Sequence, residues 1–215
     1  AGTIRYEGAD FASQRTELKR IIGVCTQDDT LDPDFSVLQN LRVYARYFRP
    51  RVQDLEQRVD DLMERFALRP FADHSPEQLS GGYRKRLLIA RSIVHRPRVL
   101  FLDEPTTGLD PKARVEVWEL VDAMRAEGMG IILTTHYMDE AERLSDDMVV
   151  LSEGRSVARG TPREVLGDLL GEHVLVIPAD EPSREAIEGW AAEQVIASPS
   201  RVLRELRIPG TAHEL

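Results

Sequence analysis

One short segment constrains the fold of this 215-residue chain more than any other. Residues 99–102 read Val-Leu-Phe-Leu, and the carboxylates of Asp103 and Glu104 follow directly. An apolar run without polar alternation is typical of a strand covered on both faces, as in a parallel sheet between helices. Ligands of α/β proteins bind at the carboxyl edge of such a sheet. The segment therefore predicts an α/β fold with a ligand site at Asp103 and Glu104.

The remaining pattern alternates strands with helices. Residues 21–25 and 131–135 are further apolar, β-rich runs that predict buried strands, and 148–152 with 155–159 predict a hairpin. Between 36 and 96 the apolar residues recur only at helical spacing, with helices expected after Ser36, after Pro50 and from about 83 to 95. Asp110 is expected to cap a further helix. We predict a mostly parallel sheet flanked by helices, with an inserted helical subdomain.

Domain boundaries follow from where these patterns stop. We predict one domain over residues 1–170, with the helical subdomain at 36–96 inside it. Residues 171–215 are expected to form a small α+β extension, with a strand at 174–177 and a helix at 184–193. The sequence shows no internal repeat and no low-complexity segment.

The charge balance limits the classes of partner. The chain has 28 Lys and Arg residues against 37 Asp and Glu residues, a formal net charge of −9. This balance argues against binding to nucleic acid through bulk positive charge, with a local basic patch as the alternative, and we predict no nucleic-acid partner. The single cysteine, Cys25, excludes an internal disulfide and fits a reducing compartment. No apolar run approaches the roughly 18–20 residues that span a bilayer, so a membrane function is expected only through a partner.

Asp103 and Glu104 are the first candidates for chemistry. Successive strand residues point to opposite sides, so the two carboxylates are expected to do different work. One can hold Mg²⁺, directly or through water, while the other polarises an attacking water. The alternative interpretation is a strand that runs into an acidic turn.

Three further features are weaker signals when taken alone. Ser80, Gly81 and Gly82 precede a predicted helix, whose N-terminus attracts anions, although an ordinary capped helix has the same pattern. His136 follows a predicted strand, where it could contact a phosphate or orient a carboxylate, or be a structural residue. Gln27 follows the strand at 21–25, where it could bind Mg²⁺ or be an ordinary turn residue.

In chain order, these features resemble the ATP-binding subunits of ABC transporters. The matching motifs are the Q-loop at Gln27, the signature at 79–82, the Walker B strand at 99–104, the D-loop at 108–110 and the switch histidine His136. The resemblance implies a P-loop NTPase fold of the ABC ATPase type, with ATP and Mg²⁺ as cofactors. It also implies an ATPase whose hydrolysis is coupled to transport.

The resemblance assigns a role to each residue at the carboxyl edge. Asp103 would position Mg²⁺, and Glu104 would be the base for the hydrolytic water. His136 would contact the γ-phosphate. Gln27 would sense Mg²⁺ and report to the membrane subunit.

It also implies a composite site between two subunits. Ser80, Gly81 and Gly82 would clamp the γ-phosphate of a nucleotide held by the opposite subunit, and Asp110 would lie at the dimer seam. Tyr83 departs from the family, many members of which have Gln after the two glycines. That departure affects the side chain's contacts and leaves the backbone clamp in place.

The larger departure is the missing phosphate-binding loop, G-x-x-x-x-G-K-[ST]. The three lysines are Lys19, Lys85 and Lys112, and none follows a glycine. The family places this loop upstream of the strand expected near residue 3. We therefore expect a truncated form without the Walker A region, inactive by itself. The alternative is a degenerate interaction or dimerisation module without ATPase activity.

The subfamily is indicated by residues 134–144 and by Asp28 to Asp32 after the Q-loop. Both look like the bacterial exporter branch for drugs, polysaccharides and lipo-oligosaccharides, including nodulation-factor exporters. The likeness implies two partners: a second nucleotide-binding subunit and an integral membrane permease. It implies a cytoplasmic location, peripheral on the inner face of the plasma membrane through the permease.

Overall fold

The computed structural model describes residues 3–6, 8–165, 173–176 and 205–208. Its contacts divide the chain into two compact units, Ala1–Glu140 and Ala141–Leu215. The boundaries predicted at residues 36, 96 and 170 remain predictions.

The first unit alternates strands and helices. It begins with a small antiparallel hairpin, β1 (Arg5–Tyr6) and β2 (Ala9–Asp10), followed by α1 (Arg15–Leu18) and β3 (Ile22–Cys25). The helices α2 (Val37–Ala45), α3 (Leu55–Arg65) and α4 (Gly81–Ser92) come next, with short 3₁₀ turns at Arg69–Phe71 and Pro76–Gln78. The remaining elements are β4 (Val99–Asp103), α5 (Pro111–Ala126), β5 (Gly130–Thr134) and α6 (Met138–Leu144), the last of which crosses the boundary between the units.

A three-stranded parallel sheet organises the first unit. Its strand order is β3-β4-β5, with Cys25 opposite Leu102 and Leu102 opposite Leu133. The predicted α/β fold with a parallel sheet is confirmed. Since all three strands run the same way, the residues that follow them lie along one edge.

Helix α2 begins where its sequence predicts. Ser36 caps α2 with a capping box, in which its hydroxyl accepts from the Gln39 backbone N–H and the Gln39 side chain accepts from the Ser36 backbone N–H. Helix α2 contacts both α3 and α4. The buried apolar residues of this region include Leu41, Val59, Leu62, Phe66, Leu87 and Ile89. No helix in the described part of the chain is both long and apolar enough to cross a bilayer.

The prediction that the sheet strands are covered on both faces is wrong for the described residues. Leu100 and Leu102 are fully buried on one face. On the other, Val24, Phe101 and Ile132 are 51%, 37% and 52% exposed, and they stand opposite one another in the register. We call these three residues the apolar row. Strand alternation sends them away from the buried face, and their side chains are in part open to solvent.

Gly23 lies in β3, which packs against the end of α4. A Cβ at this position would lie 2.5 Å from the Ser92 carbonyl oxygen at the end of α4. We expect Gly23→Ala to lower the free energy of unfolding by about 2 kcal/mol or more, because a backbone atom has to move. The control is Gly130→Ala, whose Cβ would meet its nearest neighbour at 3.5 Å. Equal urea midpoints for the two variants would contradict the expectation.

The described residues of the second unit include two antiparallel strand pairs. Strand β6 (Met148–Ser152) pairs with β7 (Arg155–Gly160) across the turn at Glu153 and Gly154, which confirms that prediction. Strand β8 (His173–Val176) pairs with β9 (Glu205–Ile208), so the strand expected at 174–177 is present one residue earlier. The helix expected at 184–193 lies outside the described residues.

Candidate functional site

The carboxyl edge of the sheet brings together Gln27, Glu104 and His136. The Gln27 side-chain amide N–H donates to Glu104 Oε2 at 3.0 Å. His136 Nδ1 lies 3.4 Å from Glu104 Oε1. The Thr107 hydroxyl donates to Glu104 Oε2 at 3.0 Å. The chain segments that follow β3, β4 and β5 therefore converge on the Glu104 carboxylate. The Glu104 side chain is 26% exposed.

Glu104 reaches this position through its backbone. Its φ is +44°, in the left-handed region that residues other than glycine rarely adopt. Its N–H donates to the Thr134 carbonyl at 3.1 Å, so the neighbouring strand holds the turn. Such backbone strain is commonly found at functional sites.

Asp103 has different partners from Glu104. It is the last residue of β4, it is exposed, and its Oδ1 accepts from the Thr134 hydroxyl. The two carboxylates do diverge, as expected from the sequence. The two side chains diverge because the chain turns at Glu104. Strand alternation does not explain the divergence, since β4 ends at Asp103 and does not include Glu104.

Ser80, Gly81, Gly82 and Asp110 lie at two helix N-termini. The Ser80 hydroxyl accepts from the Tyr83 N–H at 3.4 Å, so α4 begins at Gly81, two residues before the predicted start. Asp110 Oδ1 accepts from the first N–H groups of α5, at 3.0 Å. A Cβ on Gly82 would lie 3.0 Å from Ala113 Cβ. The two helix starts therefore pack against each other, and the described contacts of these residues do not include Glu104.

The comparison with known proteins decides the family. The family described as "ABC transporter" matches residues 1–107. The solved structure of cbiO1 from Clostridium perfringens, part of the ABC transporter complex cbiONQ, is 32% identical with a TM-score of 0.70, covering 79% of this chain and 69% of that one. This chain belongs to the ABC transporter family. The resemblance found in the sequence is confirmed.

Other members of the family agree with this assignment. Nod factor export ATP-binding protein I of Ralstonia nicotianae is 40% identical over 210 residues, which are 97% of this chain. This chain spans 65% of that relative's length. A solved structure titled as the ATP binding subunit of an ABC transporter is 25% identical, with a TM-score of 0.68, and the match covers 87% of this chain and 76% of that one.

The residues at the carboxyl edge of the sheet suit a Mg²⁺ ion that is bound together with a nucleotide. In the part of the chain that the structure describes, no three His, Cys, Asp or Glu residues are grouped to hold a metal alone. Mg²⁺ usually takes one or two protein oxygens and completes its shell with phosphate oxygens and water. The exposed Asp103 carboxylate and the Gln27 amide oxygen are donors of that kind.

Cys25 does not supply a nucleophile to this site. It is buried at the end of β3, two residues before Gln27. Burial raises the pKa of the Cys25 thiol above its ordinary value, and the positive charges of Lys85 and Arg91 oppose the shift only in part. The neutral thiol is therefore the favoured form at this sheet edge.

Sequence analysis missed the residues that support the site. The Thr107 hydroxyl donates to Glu104, and the Thr134 hydroxyl donates to Asp103. Their position beside the ends of predicted strands is the sequence signal that could have indicated these two residues. Glu140 was also missed, although it is fully buried. Its Oε1 accepts from the Thr106 hydroxyl at 2.8 Å and from the Trp118 indole N–H at 2.9 Å. These bonds tie the start of α6, which follows His136, to the turn that follows Glu104 and to α5.

Proposed function

We propose that this chain is the greater part of the ATP-binding and ATP-hydrolysing subunit of an ABC exporter. The observation that carries the proposal is the convergence of Gln27 and His136 on the two oxygens of Glu104. Export is supported by the relative named Nod factor export ATP-binding protein I.

Glu104 is the general base in this proposal. Its carboxylate accepts the proton of the attacking water, and its donors Gln27 and Thr107 hold Oε2 in place. The left-handed backbone fixes the group before substrate arrives, so it needs no rearrangement during the reaction. His136 donates a hydrogen bond toward the terminal phosphate from the same edge.

Asp103 and Gln27 would hold Mg²⁺. Bound Mg²⁺ neutralises charge on the phosphate oxygens of ATP. The Thr134 hydroxyl donates to Oδ1 of Asp103, so the second carboxylate oxygen would be the one to bind Mg²⁺. Gln27 would bind Mg²⁺ through its side-chain oxygen, and its side-chain N–H donates to Glu104. Gln27 is therefore placed to respond to the binding of Mg²⁺.

The signature residues Ser80, Gly81 and Gly82 act on the nucleotide of a second subunit. Supporting this, they form a helix N-terminus, which favours anions, and their described contacts do not include Glu104. Asp110 caps the adjacent helix and lies at the seam between the two subunits in this proposal.

Mixing two inactive variants of the complete subunit tests the composite site. Ser80→Arg destroys the clamp, and Asp103→Asn destroys the metal site, so each homodimer has no intact site. A mixed dimer has one site with neither defect, because its metal ligands and its clamp come from different chains. We expect mixing to restore ATP turnover above both parents. Turnover that stays at the level of the single variants would contradict the composite site.

We propose that the present chain is a truncated form of this subunit. An upstream segment that contains the glycine-rich phosphate loop would complete it. The apolar row of Val24, Phe101 and Ile132 supports it, because parallel sheets of α/β proteins are covered by helices on both faces. The absence of a Gly-Lys pair from the 215 residues supports it as well.

An integral membrane permease is the proposed second partner, which places the subunit on the inner face of the plasma membrane. The match to cbiO1, part of a transporter complex, supports such an assembly. We propose that residues 50–74 face the permease, since they belong to the strand-free insertion that follows Gln27. Arg58 and Arg65 lie in this segment but are unsuitable positions for a crosslinker. Arg58 donates to the Ile93 carbonyl, and Arg65 donates to the Glu127 carboxylate.

Crosslinking at exposed glutamines tests the permease surface. A photoreactive residue at Gln53 or Gln57 is expected to capture the permease in membranes that contain the whole transporter. The control is Glu119, which is also exposed and lies on α5. Capture from Glu119 with none from Gln53 and Gln57 would contradict this placement.

A further inference from the structure

A second concave site lies at the opposite edge of the sheet from Glu104. The cavity has a volume of about 240 Å³ and is lined by the segment 48–53, by Arg20, and by His95 with Arg96. Arg20 precedes β3, and His95 and Arg96 precede β4. Because these strands are parallel and β4 has five residues, the cavity is about 17 Å from the carboxyl edge. It is therefore separate from the candidate nucleotide site.

The charge of this cavity is unusual for an acidic chain. Its lining includes four arginines, Arg20, Arg49, Arg51 and Arg96, and no Asp or Glu. Throughout the described residues, none of these four guanidiniums forms an ion pair. Arg49 donates only to the carbonyls of Arg46 and Phe48. Four like charges around one cavity repel one another unless an anion binds between them.

The positive charge of Arg96 acts on a neighbouring guanidinium outside the lining. Burial is the main cause that lowers the pKa of Arg58, and the charges of Arg96 and Arg65 lower it further, against the opposing effect of Asp61 and Glu127. His95 adds no charge, since burial lowers its pKa below the ordinary value. Its Nε2–H donates to the Ile22 carbonyl at 2.9 Å, and its ring stacks on Phe48 at 3.7 Å between centroids. His95 and Phe48 thus form a fixed neutral wall.

We propose that this arginine cavity binds a compact phosphate-bearing ligand. Guanidinium groups bind phosphate and carboxylate oxygens through paired N–H donors. Four positive charges match the two to four negative charges of a phosphate or diphosphate better than the single charge of a carboxylate. The volume is below the roughly 300–1,000 Å³ of pockets for drug-sized molecules, which favours a small group. The group comes either from a free phosphate compound or from a phospholipid headgroup.

Binding of inorganic pyrophosphate to the 215-residue chain tests the proposal, at a constant ionic strength set with chloride. Calorimetry should show one site with a Kd below about 1 mM. Arg20→Gln/Arg51→Gln should weaken binding about 10- to 100-fold, because charge-assisted hydrogen bonds are lost. The control, Arg69→Gln/Arg155→Gln, removes the same charge outside the cavity and should bind like the parent. Equal weakening in both double variants would overturn the proposal.

Two further measurements identify the source of the phosphate and guard against misfolding. Vesicles of phosphatidylcholine with about one fifth phosphatidic acid should retain the parent and release the cavity variant if the source is a headgroup. Pyrophosphate binding without vesicle binding identifies a free phosphate compound. If the double variant unfolds, the parent chain is instead modified with phenylglyoxal, which reacts with arginine side chains. Pyrophosphate should protect Arg51 from this reaction and leave the control residue Arg69 unprotected. No saturable pyrophosphate or vesicle binding, or no protection of Arg51, would overturn the site.

Discussion

Glu104→Gln in the complete subunit is expected to lower ATP turnover by about 10²- to 10⁴-fold, the usual worth of a general base. The amide preserves the shape of the side chain and still accepts a hydrogen bond through its oxygen, but it does not take a proton from water. Binding of ATP with Mg²⁺ should therefore persist. Turnover and nucleotide binding, measured on the same preparation, separate the two effects.

Asp103→Asn is the matched control, one residue away with the same change of carboxylate to amide. Here the metal site is weakened, so the Mg²⁺ dependence of nucleotide binding itself should change. If both residues formed only an acidic turn, both variants would retain normal activity. Full activity of Glu104→Gln alone would remove Glu104 from the mechanism and leave His136 as the next candidate.

The second large effect concerns the 215-residue chain by itself. It is expected to bind ATP with Mg²⁺ weakly and to hydrolyse almost none, because it lacks the backbone cradle and lysine that hold the β- and γ-phosphates. Adding the upstream segment should restore binding. The same segment should cover the apolar row and lower the binding of a hydrophobic dye to Phe101 and its neighbours.

Calorimetry of the chain with and without the upstream segment measures this effect. The control is the longer chain with the lysine of its phosphate loop replaced by alanine, which should retain the covered sheet and lose the affinity. A micromolar affinity of the 215-residue chain alone would contradict our account of the missing loop.

Local patterns were sufficient to predict most of the secondary structure. The capping residues Ser36 and Asp110 start their helices as expected, because each side chain binds backbone N–H groups within three residues. The meeting of Gln27, Glu104 and His136 also followed from the sequence, since parallel strands place their carboxyl ends at one edge.

Features that depend on distant contacts were not predictable in this way. The left-handed turn at Glu104 is held by Thr134, which is 30 residues away in the chain. The exposure of Phe101 depends on what covers the sheet, and an apolar strand sequence is the same whether or not a helix lies on it. The arginine cavity combines residues near 20, 50 and 96, and no local pattern links those three segments.

The central claim is that the Glu104 edge of one subunit and the Ser80 turn of another enclose the nucleotide. Size-exclusion chromatography of the complete Glu104→Gln subunit with ATP and Mg²⁺ tests it most directly. We predict a stable dimer with trapped ATP, which reverts to monomer when Ser80→Arg is added to the same chain. A monomer under all conditions, or a dimer that Ser80→Arg leaves intact, would contradict the account.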